Sequence, residues 1–394
     1  MGACGGGPGT PADTGGPGTC LGSSLLASLG KSRVMVGYAG ADEVASQAPF
    51  DLRYVYVAGS LPDGAGPCAS CAASCTVGAT TCASAGPGCA WWGCWQWDQD
   101  PPGQYAVDFV GKTARAAEVP MFTYYVILPA SGVQEGTAEA SVAVRDRPFM
   151  ARYLADWRFL LQRVGSAKAL LHVEPDFWGY AQHAGSDPHA LPAAVASANP
   201  TDCAAQEESV AGLGRCMIAM ARKYAPQARI GLHASGWGTG FDVLQNRELS
   251  FDVAGQAARL GAFLVACGAS EGDFVVADMS DRDAGTRNNG FDATNATLPS
   301  FHQAFAWAKG VAEAVGKPVL WWQIPLGNPS LAVANRDNRV DYLLTHPAEL
   351  ALAHGVGMAF GAGMDGQATP TTDGGNFVSR ARAYFSSGGA PICR

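Results

Sequence analysis

The sequence predicts an α/β fold, a (β/α)8 TIM-type barrel with a cysteine-rich insertion after strand 2. Three observations lead there. Eight short apolar runs alternate with amphipathic stretches along residues 31–394. Most runs are branched or aromatic without a polar face, as parallel strands covered on both sides require. The long insertions fall between a strand and the helix that follows it, while returns from helix to strand are tight, and barrel enzymes build their sites on that one elaborated face.

In order, the strand candidates are residues 33–38, 54–58, 121–128, 169–174, 229–233, 274–278, 319–323 and 356–361. Helical patterns fill residues 105–117, 149–164, 209–224, 253–267, 300–315, 339–354 and 376–385, and Gly165, Gly268 and Gly316 stand where helices should stop. The link after the first strand, residues 42–48, is the weakest. Insertions at 59–104, 129–148, 175–208 and 281–299 follow strands two, three, four and six. A doubly wound open sheet is the alternative, but no glycine-rich phosphate loop follows the first strand. Residues 1–30 read as a flexible N-terminal tether, 31–394 as the barrel, and 59–104 as its Cys/Trp-rich insertion.

Composition excludes several classes. With 26 Lys+Arg against 34 Asp+Glu the formal charge is −8, a poor match to a phosphate backbone, so nucleic acid is not an expected partner. Gly 50 and Pro 24 in 394 residues stay below the roughly 25–30% of low-complexity chains. No run approaches the ~18 uninterrupted apolar residues of a transmembrane helix.

Cys68, Cys71, Cys75, Cys82, Cys89 and Cys94 crowd into one Gly/Ala/Ser-rich stretch. Zinc is one reading, but the stretch has neither a second C-x-x-C nor a histidine; an even number of cysteines in a loop without its own core suits disulfides better. Cys20 and Cys393 would fasten the two ends of the chain, whereas Cys203, Cys216 and Cys267 lie near helical patterns, and at least one of the three reads as a plain buried thiol. Met1-Gly2-Ala3-Cys4 before a Gly/Pro-rich run looks like a processed lipoprotein start. It predicts an exported protein, secreted or at the cell surface, with a lipid anchor at Cys4. The excess of Arg over Lys fits a GC-rich bacterial genome.

The chemistry concentrates at strand ends. Strand four continues Leu171-His172-Val173-Glu174-Pro175-Asp176, and period-two alternation sends His172, Glu174 and Asp176 one way. Two carboxyls at a barrel mouth are costly to bury without a role; the structural alternative is that Glu174 pairs an arginine and Asp176 caps the next turn. Strand five ends in His233 and Trp237, strand six in Asp278 and then Asp281, strand seven in Trp322 and Gln323, and Asp365 follows strand eight. Trp91, Trp92, Trp95 and Trp97 in the insertion, with Trp178, Trp237 and Trp322, would offer flat faces to sugar rings; the alternative for the insertion's tryptophans is a small core of their own.

These turns resemble the family 6 glycoside hydrolases. The chain carries, in that family's order, Tyr125-Val126-Ile127-Leu128-Pro129, then Val173-Glu174-Pro175-Asp176, then Trp322-Gln323-Ile324-Pro325-Leu326-Gly327-Asn328. The resemblance implies an inverting cellulase-like β/α barrel with Asp176 as general acid. The chain departs from the family where Pro129-Ala130-Ser131 replaces its acidic residues, Ile324 its Lys and Asn328 its Glu.

The expectation is an exported hydrolase, monomeric, cleaving a β-linked glucan or related polysaccharide without metal or cofactor. Asp176 is its acid, Asp278 the partner carboxylate, with Asp281 and Asp365 in reserve, and Glu174 is the neighbour that raises the pKa of Asp176 by like charge. Tyr38, Tyr125, His233, Trp237, Trp178, Trp322, Gln323, Asp281 and Asp365 are expected to hold the oligo- or polysaccharide. Two rivals stay open. His172, Glu174, Asp176, His233 and Asp278 would suit a metal-dependent isomerase or deacetylase. A barrel without a base would only bind glycan.

Overall fold

The computed structural model describes residues 20–40, 42–58, 61, 74–77, 80–83, 95 and 103–392. Eight parallel strands close into one barrel: β1 (Met35–Ala39), β2 (Leu52–Ala58), β3 (Val119–Tyr125), β4 (Leu170–Val173), β5 (Arg229–Ala234), β6 (Phe274–Asp278), β7 (Val319–Ile324) and β8 (Gly355–Phe360). Each strand pairs with its sequence neighbours, and β1 pairs with both β2 and β8. All eight predicted strands are present.

Alternation sorts the side chains into two layers. Met35, Leu52, Tyr54, Met121, Leu170, Phe274, Val276, Leu320 and Trp322 fill the barrel, whereas Val36, Phe122, Leu171, Val275 and Trp321 pack outward against the helices. Gly231 makes the inner layer possible on β5, since a Cβ there would lie 2.7 Å from the Phe274 ring.

Several helices carry their own start signals. α1 is Ser23–Leu29 and α2 is Gln104–Arg115. In α3 (Arg147–Val164) the Asp146 carboxylate accepts from Phe149 N at 3.1 Å. Ser209, Asp252 and Ser300 cap α5 (Val210–Tyr224), α6 (Val253–Ala266) and α7 (Phe301–Val315) in the same way, each cap worth about 1 kcal/mol. α4 (Phe177–Ala184) follows β4 directly, and α8 (Arg339–Thr345) and α9 (Asn376–Ser386) complete the ring. None of the described helices is long and apolar enough to cross a membrane.

Three expectations change. Residues 23–29 lie inside the expected tether, yet they form α1, whose Leu25, Leu26 and Leu29 join the barrel's inner core and close its floor. The run through residue 128 is not all strand: β3 ends at Tyr125 and a short helix, Ile127–Ser131, follows. The pattern over 339–354 divides at His346, because Pro347 starts a second short helix, Pro347–Leu352.

Cys203 and Cys216 form a disulfide between the loop after β4 and α5, and Cys267 is a buried free thiol. Cys20 is disulfide-bonded. Cys4, Cys393 and most of the cysteine-rich insertion lie outside the described residues. Within the insertion, Ser74–Val77 and Thr80–Ala83 make an antiparallel ribbon, and the Trp95 ring is buried against Phe159 of α3 at 5.5 Å.

Candidate active site

The carboxyl ends of the strands bring together a wet rim and a buried floor. Trp322 is the centre of the floor. Its ring lies 4.6 Å from the His172 ring, 5.9 Å from His233, 5.8 Å from Tyr54 and 5.6 Å from Tyr56. Those residues meet because each occupies an inward position on β4, β5, β2 or β7. On β6 the same parity carries Phe274, Val276 and then Asp278 into the mouth.

Asp278 is the most heavily supported carboxylate there. Ser280 Oγ donates to its Oδ2 at 2.9 Å, Arg282 approaches that oxygen at 3.6 Å, and His233 Nε2 lies 3.6 Å from Oδ1. Burial alone would raise its pKa; His233, Arg282 and Ser280 outweigh it and hold the carboxyl below the usual carboxylate range. Asp278 is therefore ionised at neutral pH.

Asp176 is the opposite case. It occupies the N-cap position of α4, yet its side chain makes no capping hydrogen bond. The expected structural role as a turn cap is absent, and the carboxyl is left for the mouth. Burial lifts its pKa to about 7, the charges of Asp278, Glu139 and Glu135 adding to the effect and His233 opposing it. Two carboxyls that sense each other thus hold different protonation states near neutrality, the arrangement acid/base pairs share.

Glu174 does not stand beside Asp176 as alternation predicts. Its φ is +48°, a left-handed conformation that turns the side chain out of the sequence's parity. Oε1 accepts from Val126 N at 3.1 Å and Ile127 N at 3.2 Å, capping the short helix after β3. Burial raises its pKa to about 8 against those hydrogen bonds and the Tyr153 hydroxyl. Glu174 is a structural cap. The leading like charges on Asp176 are those of Asp278, Glu139 and Glu135.

Gln323 undergoes the reverse turn. Its φ is +49°, beside a register shift between β7 and β8, and its amide donates to the Tyr56 hydroxyl inside the mouth. Tyr125, half-buried, has its ring 6.3 Å from that of Tyr56. Trp237, also half-buried, leans on Tyr180 of α4 at 4.6 Å. Gly179 permits this, since a Cβ there would lie 2.7 Å from both the Trp237 ring and Ser235 Oγ.

Other expected sugar contacts lie elsewhere. Tyr38 shares its parity with Val36, packs 4.7 Å from Phe50 and donates its hydroxyl to Glu118 in the outer layer. Trp178 is fully buried behind β4, with Nε1 donating to Val173 O at 2.9 Å. Asp281 is exposed and pairs with Arg282 at 2.7 Å, and Asp365 is exposed on the segment after β8. Trp95 belongs to the core, and Trp91, Trp92 and Trp97 lie outside the described residues.

Sequence reading missed Tyr56, Ser280, Arg282 and Glu139. The Tyr54-Val55-Tyr56 alternation on β2 was a usable signal. Glu139, fully buried on the loop after β3, gave none. The five residues offered for a metal do not assemble as a ligand set: among the described residues no three His, Cys, Asp or Glu have that geometry. His172 Nε2 faces His233 Nδ1 at 3.0 Å, and Glu174 faces away.

No protein-family model matches the chain, and no curated protein matches it. An endo-β-1,4-mannanase of Cellulomonas fimi, a double mutant, superposes with a TM-score of 0.51 at 12% identity, over 95% of this chain and 75% of that one. A Bacteroidetes-affiliated GH5 cellulase gives 0.51 at 10% identity over 92% of each chain. An engineered protein gives 0.52 at 11% identity over 97% of this chain and 75% of that one. At such identities the likeness is one of fold alone, a barrel. The endoglucanase Cel6 from Mycobacterium tuberculosis reaches a TM-score of 0.31 at 16% identity; the chain spans 58% of its length, and the family 6 resemblance goes no further than the turns quoted above.

Proposed function

We propose that this chain is an exported glycoside hydrolase that cleaves a β-linked glucan or related polysaccharide with Asp176 as general acid and Asp278 as general base. One observation carries the reading: the ends of β4 and β6 each bring a carboxyl to one barrel mouth, Asp176 without a capping bond and raised to about 7 by burial, Asp278 held ionised by Ser280, Arg282 and His233. Glycosidic cleavage needs that pair. Asp176 gives its proton to the glycosidic oxygen as the bond to the anomeric carbon breaks. Asp278 takes a proton from the water that attacks that carbon, so both carboxyls return to their starting states after proton exchange with solvent. The partly exposed Tyr56, Tyr125 and Trp237 supply the apolar and hydroxyl surface that sugar rings need, over the buried Trp322. An inverting course rests on the resemblance of the Val173-Glu174-Pro175-Asp176 turn to family 6, and export on the Cys203–Cys216 disulfide.

The test is a panel of β-glucans, mannans and galactans assayed for reducing ends, with Asp176→Asn and Asp278→Asn in parallel. Each variant should lose about 10²–10⁴-fold in kcat while still binding the cleaved glycan. Proton NMR of the first-formed anomer reads the stereochemical course. Binding without turnover by the parent chain on every substrate would replace the enzyme with a glycan-binding barrel.

A further inference from the structure

Inside the barrel, four polar side chains from adjacent strands form a line that leads up to the Asp278 carboxyl. Thr123 Oγ1 lies 3.2 Å from His172 Nδ1, His172 Nε2 lies 3.0 Å from His233 Nδ1, and His233 Nε2 lies 3.6 Å from Asp278 Oδ1. Thr123 and His172 are fully buried, His233 is 1% exposed and Asp278 7%. The two imidazoles lie 5.1 Å apart, and the Trp322 ring meets both edge-on, which fixes their planes.

We infer that Thr123, His172 and His233 form a one-way hydrogen-bond chain that ends on Asp278, with His233 the positioning residue that aims and charges the catalytic base. The inference rests on the glycosidase reading above for its consequence, though not for its geometry.

The direction follows from the acceptor at the end. An ionised carboxylate offers no proton, so an imidazole nitrogen facing it must carry one. Asp278 Oδ1 is buried with no hydrogen-bond partner, and His233 Nε2 is the nitrogen aimed at it. With Nε2 protonated, a neutral His233 accepts at Nδ1. His172 must then donate from Nε2 and accept at Nδ1, where the Thr123 hydroxyl supplies the proton. Each ring is satisfied in one neutral tautomer, and no ring needs a charge. That agrees with His172, whose burial drives its pKa well below the ordinary histidine value. The last step, at 3.6 Å, is longer than a formed hydrogen bond, as catalytic contacts in the absence of substrate often are.

The chain also explains how the mouth keeps its two carboxyls apart. Asp278 faces Ser280 and Arg282 on its own segment, with Asp281 paired to that arginine and Asp242 on its far side. From α4's start it faces Asp176, and from β5 His233. Arg282 approaches Oδ2 alone, which leaves Oδ1 to the imidazole. Without His233 that oxygen would be a buried anion with nothing opposite it, and its proton affinity would rise.

Two measurements test this. In nitrogen-15 NMR spectra of the intact protein, each ring should carry its proton on Nε2 and leave Nδ1 as the acceptor. In kinetics, His233→Ala should move the acidic limb of kcat/KM upward by about one pH unit, and His233→Gln, which can still donate an amide proton, should restore much of it. A proton on Nδ1 of His233 in the wild-type spectrum would overturn the chain whatever the variants do. An unchanged acidic limb in folded His233→Ala would overturn the positioning role. If Asp176→Asn retains full activity, the glycosidase reading fails instead, and the NMR result still decides the chain's direction.

Discussion

Replacing Glu174 by Gln separates a structural carboxyl from a catalytic one. The residue is fully buried, accepts from Val126 N and Ile127 N, and has its pKa raised from 4.5 to about 8. The folded protein therefore keeps a proton that the unfolded chain releases between those two values. Because the native state binds the extra proton, stability falls as pH rises across that window and levels off above about 8. At about 1.4 kcal/mol per unit, the full penalty amounts to up to about 5 kcal/mol. Glutamine keeps the carbonyl that the two N–H groups need and matches the shape of the protonated acid, so Glu174→Gln should be near neutral at pH 4. Its advantage over the parent should then grow with pH and level off above about 8. Urea unfolding followed by tryptophan fluorescence, under non-reducing conditions, at a series of pH values reads this difference. Activity on the best substrate should stay within a few-fold of the parent. A stability difference independent of pH would refute the retained proton. A loss of about 10²–10⁴-fold in kcat with the fold intact would refute the cap and return Glu174 to the chemistry.

The protonated state of Asp176 sets a second expectation. As an acid with a pKa of about 7, it must lose activity as pH rises, so kcat/KM should fall about tenfold per unit above that value, and Asp278, already ionised, should place the acidic limb below the ordinary carboxylate range. Trp237→Ala should raise KM about 3- to 10-fold with little change in kcat, as loss of a stacking face without loss of chemistry does. Gly179→Ala should produce the same KM defect from behind, because its Cβ would collide with the Trp237 ring at 2.7 Å, together with a lower unfolding midpoint.

The barrel was legible because its strands obey one rule. Runs such as Phe274-Val275-Val276-Ala277 are apolar at every position, and only strands covered on both faces can be. The elements that escaped obey tertiary rules instead. Val126-Ile127-Leu128 extends the apolar run of β3, yet the chain turns helical there, its first N–H groups being received by Glu174 from the next strand. α1 hid in Gly/Pro-rich surroundings, and three leucines without a long pattern give no amphipathic signal. They become a floor only when a barrel stands over them.

The site was half legible, and the division has a physical cause. Where a strand keeps its parity to the end, counting by twos places the side chain correctly: Asp278 follows Phe274 and Val276 inward, and Trp322 follows Leu320. The same count, applied to β1, sends Tyr38 outward with Val36, so that tyrosine was open to exclusion from sequence alone. Glu174 and Gln323 break the count in opposite senses. Each adopts a left-handed backbone, at about 1–3 kcal/mol for a residue with a Cβ, and each sits one or two residues past the last inward aromatic or imidazole. At Glu174 the strain removes a carboxylate from the mouth and spends it on the neighbouring loop. Asp176 is thereby left as the β4 carboxyl at the mouth, its proton affinity set by burial and by Asp278, Glu139 and Glu135. At Gln323 the strain brings an amide inward to Tyr56. Both inversions depend on partners at remote positions, Val126 and Ile127 in one case and Tyr56 in the other, so period-two reading fails there. It fails at the mouth, where a left-handed backbone at Glu174 and Gln323 decides which side chains face inward.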